Sequence, residues 1–391
     1  MHNQIITTVK KYFIIAGEVS GDMHAARLIQ DIRQKDPAAI FLGCGGDKMQ
    51  QAGCLLVHHI SDMAFMGVVA VLMNLSKVLQ NTRIVHSSLL TEKPDVLILV
   101  DYPTFNLKMA RFTRKHLPQT KIVYYIPPKV WAWKTWRVHE IGRLCDRILC
   151  IFPFEVDFYA RYGYKAEYIG NPTLQAIEEL YAVGGSGTFA PTAPLKEQRP
   201  SSPPLGGWGE APYIAILAGS RRHEVEKCLG KMLRAALMQP NYNIVVAATS
   251  MVDSSVYERI ISPFRGAGGL SLVTDDTLNV VRNADVALVN SGTATLETAL
   301  LGTPQIAVYH VCAGPLLYSL RHLVFKTQWF TLVNIIAGKE VIHEWLAYRF
   351  TVSNLARDLN QLLHDKQAQQ RMLQGYTEVR SLLTQSETAD V

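Results

Sequence analysis

Short β-branched apolar runs, separated by longer stretches of helical periodicity, recur from one end of the chain to the other. KYFIIAG, PDVLILVD, KIVYYI and CDRILCIF precede residue 172; YIAILAGS, NIVVAAT, LSLVT, ADVALVN and PQIAVYH follow residue 212. Runs that are apolar throughout, rather than alternating, belong to strands covered on both faces, and intervening helices make such strands parallel. The pattern predicts an α/β protein of two Rossmann-like, doubly wound parallel-sheet domains. Residues 182–212, AVGGSGTFAPTAPLKEQRPSSPPLGGWGEAP, break the pattern. They are rich in Gly, Pro and Ser and bury too little to offset their ordering entropy, which predicts a flexible insertion. The expected division is 1–181, the insertion 182–212, 213–350, and C-terminal helices with a tail over 351–391.

Two stretches depart from this rhythm. DMAFMGVVAVLMNLSKVL, residues 62–79, reads first as a core helix and second as an acyl-chain groove or shallow membrane contact. VWAWKTW places Trp131, Trp133 and Trp136 within six residues, with interfacial and packing roles both open.

Composition narrows the picture. A chain of 391 residues exceeds what one core usually serves, and 48% apolar residues suffice for two. Lys and Arg total 39 against 33 Asp and Glu, a net charge of +6. That excess suits anionic small molecules or an anionic membrane surface, and without a basic run of five it argues against nucleic acid. The six cysteines form no C-x-x-C pair, which points to buried thiols in a reducing cytoplasm. The N-terminus lacks the order of a signal peptide, and no apolar stretch reaches the ~18 residues of a membrane span.

Ligands of open parallel sheets bind at the carboxyl ends of strands, where helix N-termini leave N–H groups unpaired. Four turns qualify. In GEVSGD, Gly17 permits close approach, Ser20 or Asp22 can cap the following helix, and Glu18 faces the space above the sheet. The turn lacks the G-x-G-x-x-G spacing, which weakens a nicotinamide-dependent dehydrogenase. Asp101 ends PDVLILVD and is placed either to take a proton from a hydroxyl nucleophile or to cap a helix. In LAGSRRHEV, Gly219 and Ser220 turn the chain, and Arg221 or Arg222 opens a helix suited to a phosphate. In VNSGTATLE, Ser291, Gly292, Thr293 and Thr295 form a nest suited to a pyrophosphate. Glu297 can accept ribose hydroxyls or complement the helix dipole, and Asn334 can donate an amide or cap. Two anion-binding turns and an acidic residue in the C-terminal half suggest a nucleoside diphosphate there. No Asp-x-Asp pair occurs to carry a divalent metal, so the leaving charge falls to arginine and helix N-termini.

Over these same residues the chain closely resembles lipid-A-disaccharide synthase, a family of bacterial glycosyltransferases. AGEVSGDMHAARL, GGDKMQQAG, FMGVVAVL, LVDYPTFNLKMAR, YYIPPKVWAWK, IFPFEVDFY, IGNP, LAGSRRHEV, NSGTATLETALLGTP and VNIIAGKEVIHEW carry the similarity, in family order. Departures are Pro127, Ala218, Val333 and the insertion. The resemblance implies two domains facing across a cleft, the GT-B arrangement, with the acceptor in the first and the UDP-sugar in the second. It implies inverting, metal-independent transfer from UDP-2,3-diacylglucosamine to 2,3-diacylglucosamine 1-phosphate, giving a β-1,6-linked disaccharide 1-phosphate and UDP. Asp101 is then the base, and Glu18, Ser20 and Asp22 lie near the reacting sugars. Gly219, Ser220, Arg221, Ser291, Gly292, Thr293, Thr295, Glu297 and Asn334 belong to the UDP site. No cofactor and no metal are implied; the family expectation is a cytoplasmic protein, peripheral on the inner face of the inner membrane, and a homodimer. The rival readings are a UDP-sugar epimerase of the same architecture and a non-catalytic lipid- or nucleotide-binding protein.

Overall fold

The apolar runs become the strands of two parallel sheets. The computed structural model describes residues 9–63, 75–183, 211–267, 269–310 and 327–384. The first unit extends to Gly170 and the second begins at Asn171. The first holds β1 (Lys11–Ala16), β2 (Ile40–Gly45), β3 (Leu55–His59), β4 (Val96–Val100), β5 (Lys121–Tyr125), β6 (Arg147–Cys150) and β7 (Glu167–Tyr168). Their order in the sheet is β3-β2-β1-β4-β5-β6-β7. The second holds β8 (Tyr213–Leu217), β9 (Asn243–Ala248), β10 (Leu270–Thr274), β11 (Val286–Asn290), β12 (Gln305–Tyr309) and β13 (His343–Leu346). These run β10-β9-β8-β11-β12-β13.

Central strands show why periodicity read them correctly. Every residue of β8 and β11 is buried, because helices lie on both faces. The helix Arg222–Ala236 buries Val225, Cys228, Leu229, Met232 and Leu233, a single stripe at three- and four-residue spacing. Val352–His364 does the same with Leu355, Ala356, Leu359, Leu362 and Leu363.

At the junction of the units, Asn171 is buried, and its side-chain oxygen accepts from the amides of Thr173 and Leu174 at 3.0 and 3.1 Å. It thereby caps the helix Pro172–Val183, which groups with the second unit although the sequence pattern runs the first domain to 181. Most of the insertion, and residues 64–74 of the apolar stretch, lie outside the described residues. Among the described residues no helix is long and apolar enough to cross a membrane.

Candidate active site

In each sheet the strand order reverses beside the first strand: between β1 and β4 in one unit, and between β8 and β11 in the other. Open α/β sheets receive ligands at such switch points, outside the carboxyl ends of the strands. The four turns singled out from the sequence follow these four strands.

On the first unit, Asp101 and Tyr102 leave β4 with φ of 42° and 44°. Two consecutive non-glycine residues in the left-handed region cost about 1 to 3 kcal/mol each, and persist only where the surroundings hold them. Asn106, fully buried, donates its amide to the carbonyl of Asp101 at 2.8 Å and of Val100 at 3.1 Å. The Tyr124 hydroxyl donates to the same Asp101 carbonyl at 2.7 Å, and the Asp101 amide donates to Ile126 at 3.2 Å. The main chain is thus tied on both sides. Gly17 is needed because a Cβ there would lie 2.3 Å from the Tyr102 ring.

Burial raises the pKa of Asp101, and the neighbouring Glu18 carboxylate raises it further. Lys129 and a hydrogen bond from the Tyr102 amide oppose the shift. A carboxyl with raised pKa beside a second carboxylate has the character of a general base. Glu18 is the N-cap of the helix Val19–Lys35 with no side-chain cap bond, so its carboxylate is not consumed by the helix end.

Asp22 has a different job from the one the motif suggests. It is 3% exposed, and its carboxylate accepts from the amides of Gly46, Lys48 and Met49 at 2.7, 3.0 and 3.0 Å. It fastens β2 and the helix Asp47–Gln51 to the first turn, and it caps that helix instead of its own. A Cβ at Gly46 would stand 2.7 Å from its oxygen. Ser20 is exposed on the first turn and caps nothing.

On the second unit, Gly219 has φ 116°, and any Cβ there would meet Glu224 at 2.5 Å. Glu224 changes the reading of this turn. Its carboxylate accepts from the amides of Ser220 and Arg221 at 3.1 and 3.3 Å, closing a capping box. Those N–H groups, which the sequence left for a phosphate, already have a protein acceptor. The Arg221 guanidinium is 59% exposed, with Glu224 3.5 Å away. An acidic residue three positions past the N-cap was the sequence signal for this, within RRHE.

After β11 the arrangement is more open. The helix Thr293–Leu300 begins at Gly292 without any side-chain cap, and a Cβ at Gly292 would have no atom within 4 Å. Protein packing therefore does not require the glycine. Ser291 is half-buried, and its amide donates to Val308 at 2.7 Å; Thr293 is exposed. Glu297, one turn in, has its pKa raised by burial.

Thr295 and Asn334 are occupied inside the protein. Thr295 is fully buried and its hydroxyl donates to Gly292 at 2.9 Å, which shapes the turn from beneath. Asn334, also fully buried, donates to the Ile342 carbonyl at 2.8 Å and Glu344 at 2.9 Å, and accepts from the amides of Val341 and Ile342 at 2.7 and 3.0 Å. All its side-chain capacity is used in holding the loop before β13. Asn334→Ala removes four hydrogen bonds, three of them to main-chain groups of Val341 and Ile342, and is expected to lower stability by about 2 to 4 kcal/mol in urea unfolding, with UDP affinity of the folded fraction unchanged.

Comparison with known proteins adds the family. A family model described as Lipid-A-disaccharide synthetase matches residues 12–390. A "Lipid-A-disaccharide synthase" of Myxococcus xanthus is 33% identical over 389 residues, covering 98% of this chain and 96% of the relative. One from Geobacter sulfurreducens is 32% identical over 381 residues, covering 96% and 94%. Among solved structures, a putative UDP-N-acetylglucosamine 2-epimerase from Listeria monocytogenes aligns with a TM-score of 0.58 at 14% identity, over 94% of this chain and 91% of the other. CalG4, the calicheamicin glycosyltransferase, aligns with 0.53 at 12% identity, over 96% and 95%. At such identities the structural likeness concerns fold alone.

Proposed function

Because this chain belongs to the lipid-A-disaccharide synthetase family, we propose that it carries out one glycosyl transfer, with the base on the first unit and the UDP-binding turns on the second. The activity is lipid A disaccharide synthesis, and the observation that carries it is the family match over residues 12–390. The donor is UDP-2,3-diacylglucosamine and the acceptor 2,3-diacylglucosamine 1-phosphate. The acceptor's 6-hydroxyl loses its proton to Asp101 as its oxygen attacks the anomeric carbon, and UDP departs from the opposite face in a single inverting step. A base buried beside β4 and lifted by Glu18 fits that role, since a raised pKa brings its basicity closer to the working pH.

The departing diphosphate carries growing negative charge. The uncapped N-terminus of Thr293–Leu300, the small residues Ser291 and Gly292, and the exposed Arg221 side chain can meet that charge without a metal ion. Ser220 and Gly219 shape the turn that presents Arg221, and Glu297 accepts from ribose hydroxyls. The protein works at the cytoplasmic face of the inner membrane.

Ionised Asp101 is the active form, so kcat/KM should fall as pH drops through its raised pKa. Removing the Glu18 charge in Glu18→Gln relaxes that shift, and the acid limb of the pH profile should move to lower pH. An unmoved limb would separate Glu18 from Asp101.

Incubation with both sugars, followed by mass spectrometry, tests the whole reading. Disaccharide formed equally with and without chelator, and UDP released only when acceptor is present, is the expected result. UDP release or donor epimerisation without acceptor would favour the epimerase chemistry of the structural neighbours, and chelator sensitivity would overturn the metal-free step.

A further inference from the structure

The structure separates the crowded tryptophans into two environments. Trp131 is buried; its indole nitrogen donates to Glu155 Oε1 at 2.9 Å, and its ring meets Phe154 edge-on at 5.0 Å. That contact anchors the loop following β5. Trp133 and Trp136, on the same loop, are 48% and 62% exposed. Each carries a cation over its face: Lys134 Nζ lies 4.2 Å from the Trp133 ring centre, and the Arg137 guanidinium 5.4 Å from that of Trp136.

Charge on the segment is one-sided. From Lys129 to Arg143 the chain carries Lys129, Lys134, Arg137 and Arg143 against Glu140, and Glu140 pairs with Arg111 of the helix Pro103–His116. Exposed indoles flanked by cations suit a lipid interface: the rings sit at headgroup level, and the cations meet anionic phosphates. The loop also leaves the sheet at the carboxyl end of β5, next to β4, and Lys129 acts electrostatically on Asp101.

Resting on the glycosyl transfer proposed above, we propose that Trp133 and Trp136, with Lys134 and Arg137, seat the first unit on an anionic phospholipid surface. The Asp101 edge then faces the layer that supplies the acceptor lipid. Charge complementarity selects this occupant: a neutral apolar partner would leave Lys134 and Arg137 without a counter-charge.

Full-length protein is sedimented with vesicles of phosphatidylcholine alone and of phosphatidylcholine mixed with phosphatidylglycerol. Wild type should bind the anionic vesicles in a salt-dependent way, with a blue shift in tryptophan fluorescence. The double variant Trp133→Ala/Trp136→Ala should lose about tenfold in partitioning and most of the blue shift. Lys134→Gln/Arg137→Gln should bind more weakly and with less salt dependence. The tryptophan variant should melt as wild type and keep its turnover on detergent-dispersed substrates.

Wild-type binding with an unaffected tryptophan variant overturns the assignment of this patch and leaves the membrane reading standing. Absence of wild-type binding to anionic vesicles overturns the membrane reading itself. Loss of turnover on dispersed substrates places the indoles in the substrate site and overturns a docking role. Displacement of wild type from vesicles by a single-stranded oligonucleotide, absent in the tryptophan variant, would make the patch a nucleic-acid surface instead.

Discussion

Asp101→Asn is expected to lower transfer by about 10²- to 10⁴-fold while leaving the melting temperature and UDP affinity at wild-type values. The substitution isolates chemistry from structure unusually well. Asp101 sits at φ 42°, a conformation asparagine tolerates better than most residues. The hydrogen bonds that hold the turn, from Asn106 and Tyr124, go to its main-chain carbonyl and survive the change. What disappears is the ability to take a proton. Disaccharide formation followed by mass spectrometry reads the rate, and calorimetry with UDP reads binding. Transfer retained within tenfold of wild type would move the base elsewhere, with Glu18 the next carboxylate on the same edge.

Asp22→Ala should instead destabilise the fold, by on the order of 3 to 5 kcal/mol. Its carboxylate serves three main-chain amides at once, and hydrogen bonds to a charged acceptor are the stronger kind. Alanine leaves those N–H groups in a site where Asp22 is only 3% exposed, so water replaces the lost acceptor poorly. Denaturant unfolding measures the loss. Unchanged stability accompanied by abolished transfer would return Asp22 to the reaction.

These two aspartates mark how far the sequence could be read. Both stand in polar stretches after apolar strands, where pattern alone offers each a helix-capping role and offers Asp101 that of a proton acceptor as well. Only the fold brings Gly46–Met49 onto one and Glu18 with Lys129 beside the other, because those neighbours come from distant parts of the chain. Strands were legible where helices cover both faces, as in β8 and β11. They were missed where the apolar run is short or interrupted: Gly43 and Gly45 interrupt β2 although Phe41–Gly45 is buried, β3 ends in His58 and His59, β7 is two residues long, and β13 reads HEWL.

The nucleotide side shows the same limit. Small residues at Ser291 and Gly292 were visible in the sequence as a bare turn, and that turn is uncapped in the fold. Thr295 and Asn334 carry the same hydrogen-bonding groups, yet their partners lie inside the protein. Asn106 and Tyr124, which hold the Asp101 turn, gave no pattern of their own, since a supporting side chain needs only to be the right length at the right place.

The claim on which the account depends is that a nucleoside diphosphate is held by main-chain amides and a guanidinium of the second unit without a bridging cation. A crystal structure of the full chain grown with UDP and magnesium tests it directly. The account predicts the diphosphate at the N-terminus of Thr293–Leu300 within reach of Arg221, the ribose hydroxyls on Glu297, and no metal between phosphate and protein. UDP bound away from that helix, or joined to it through magnesium, would contradict it.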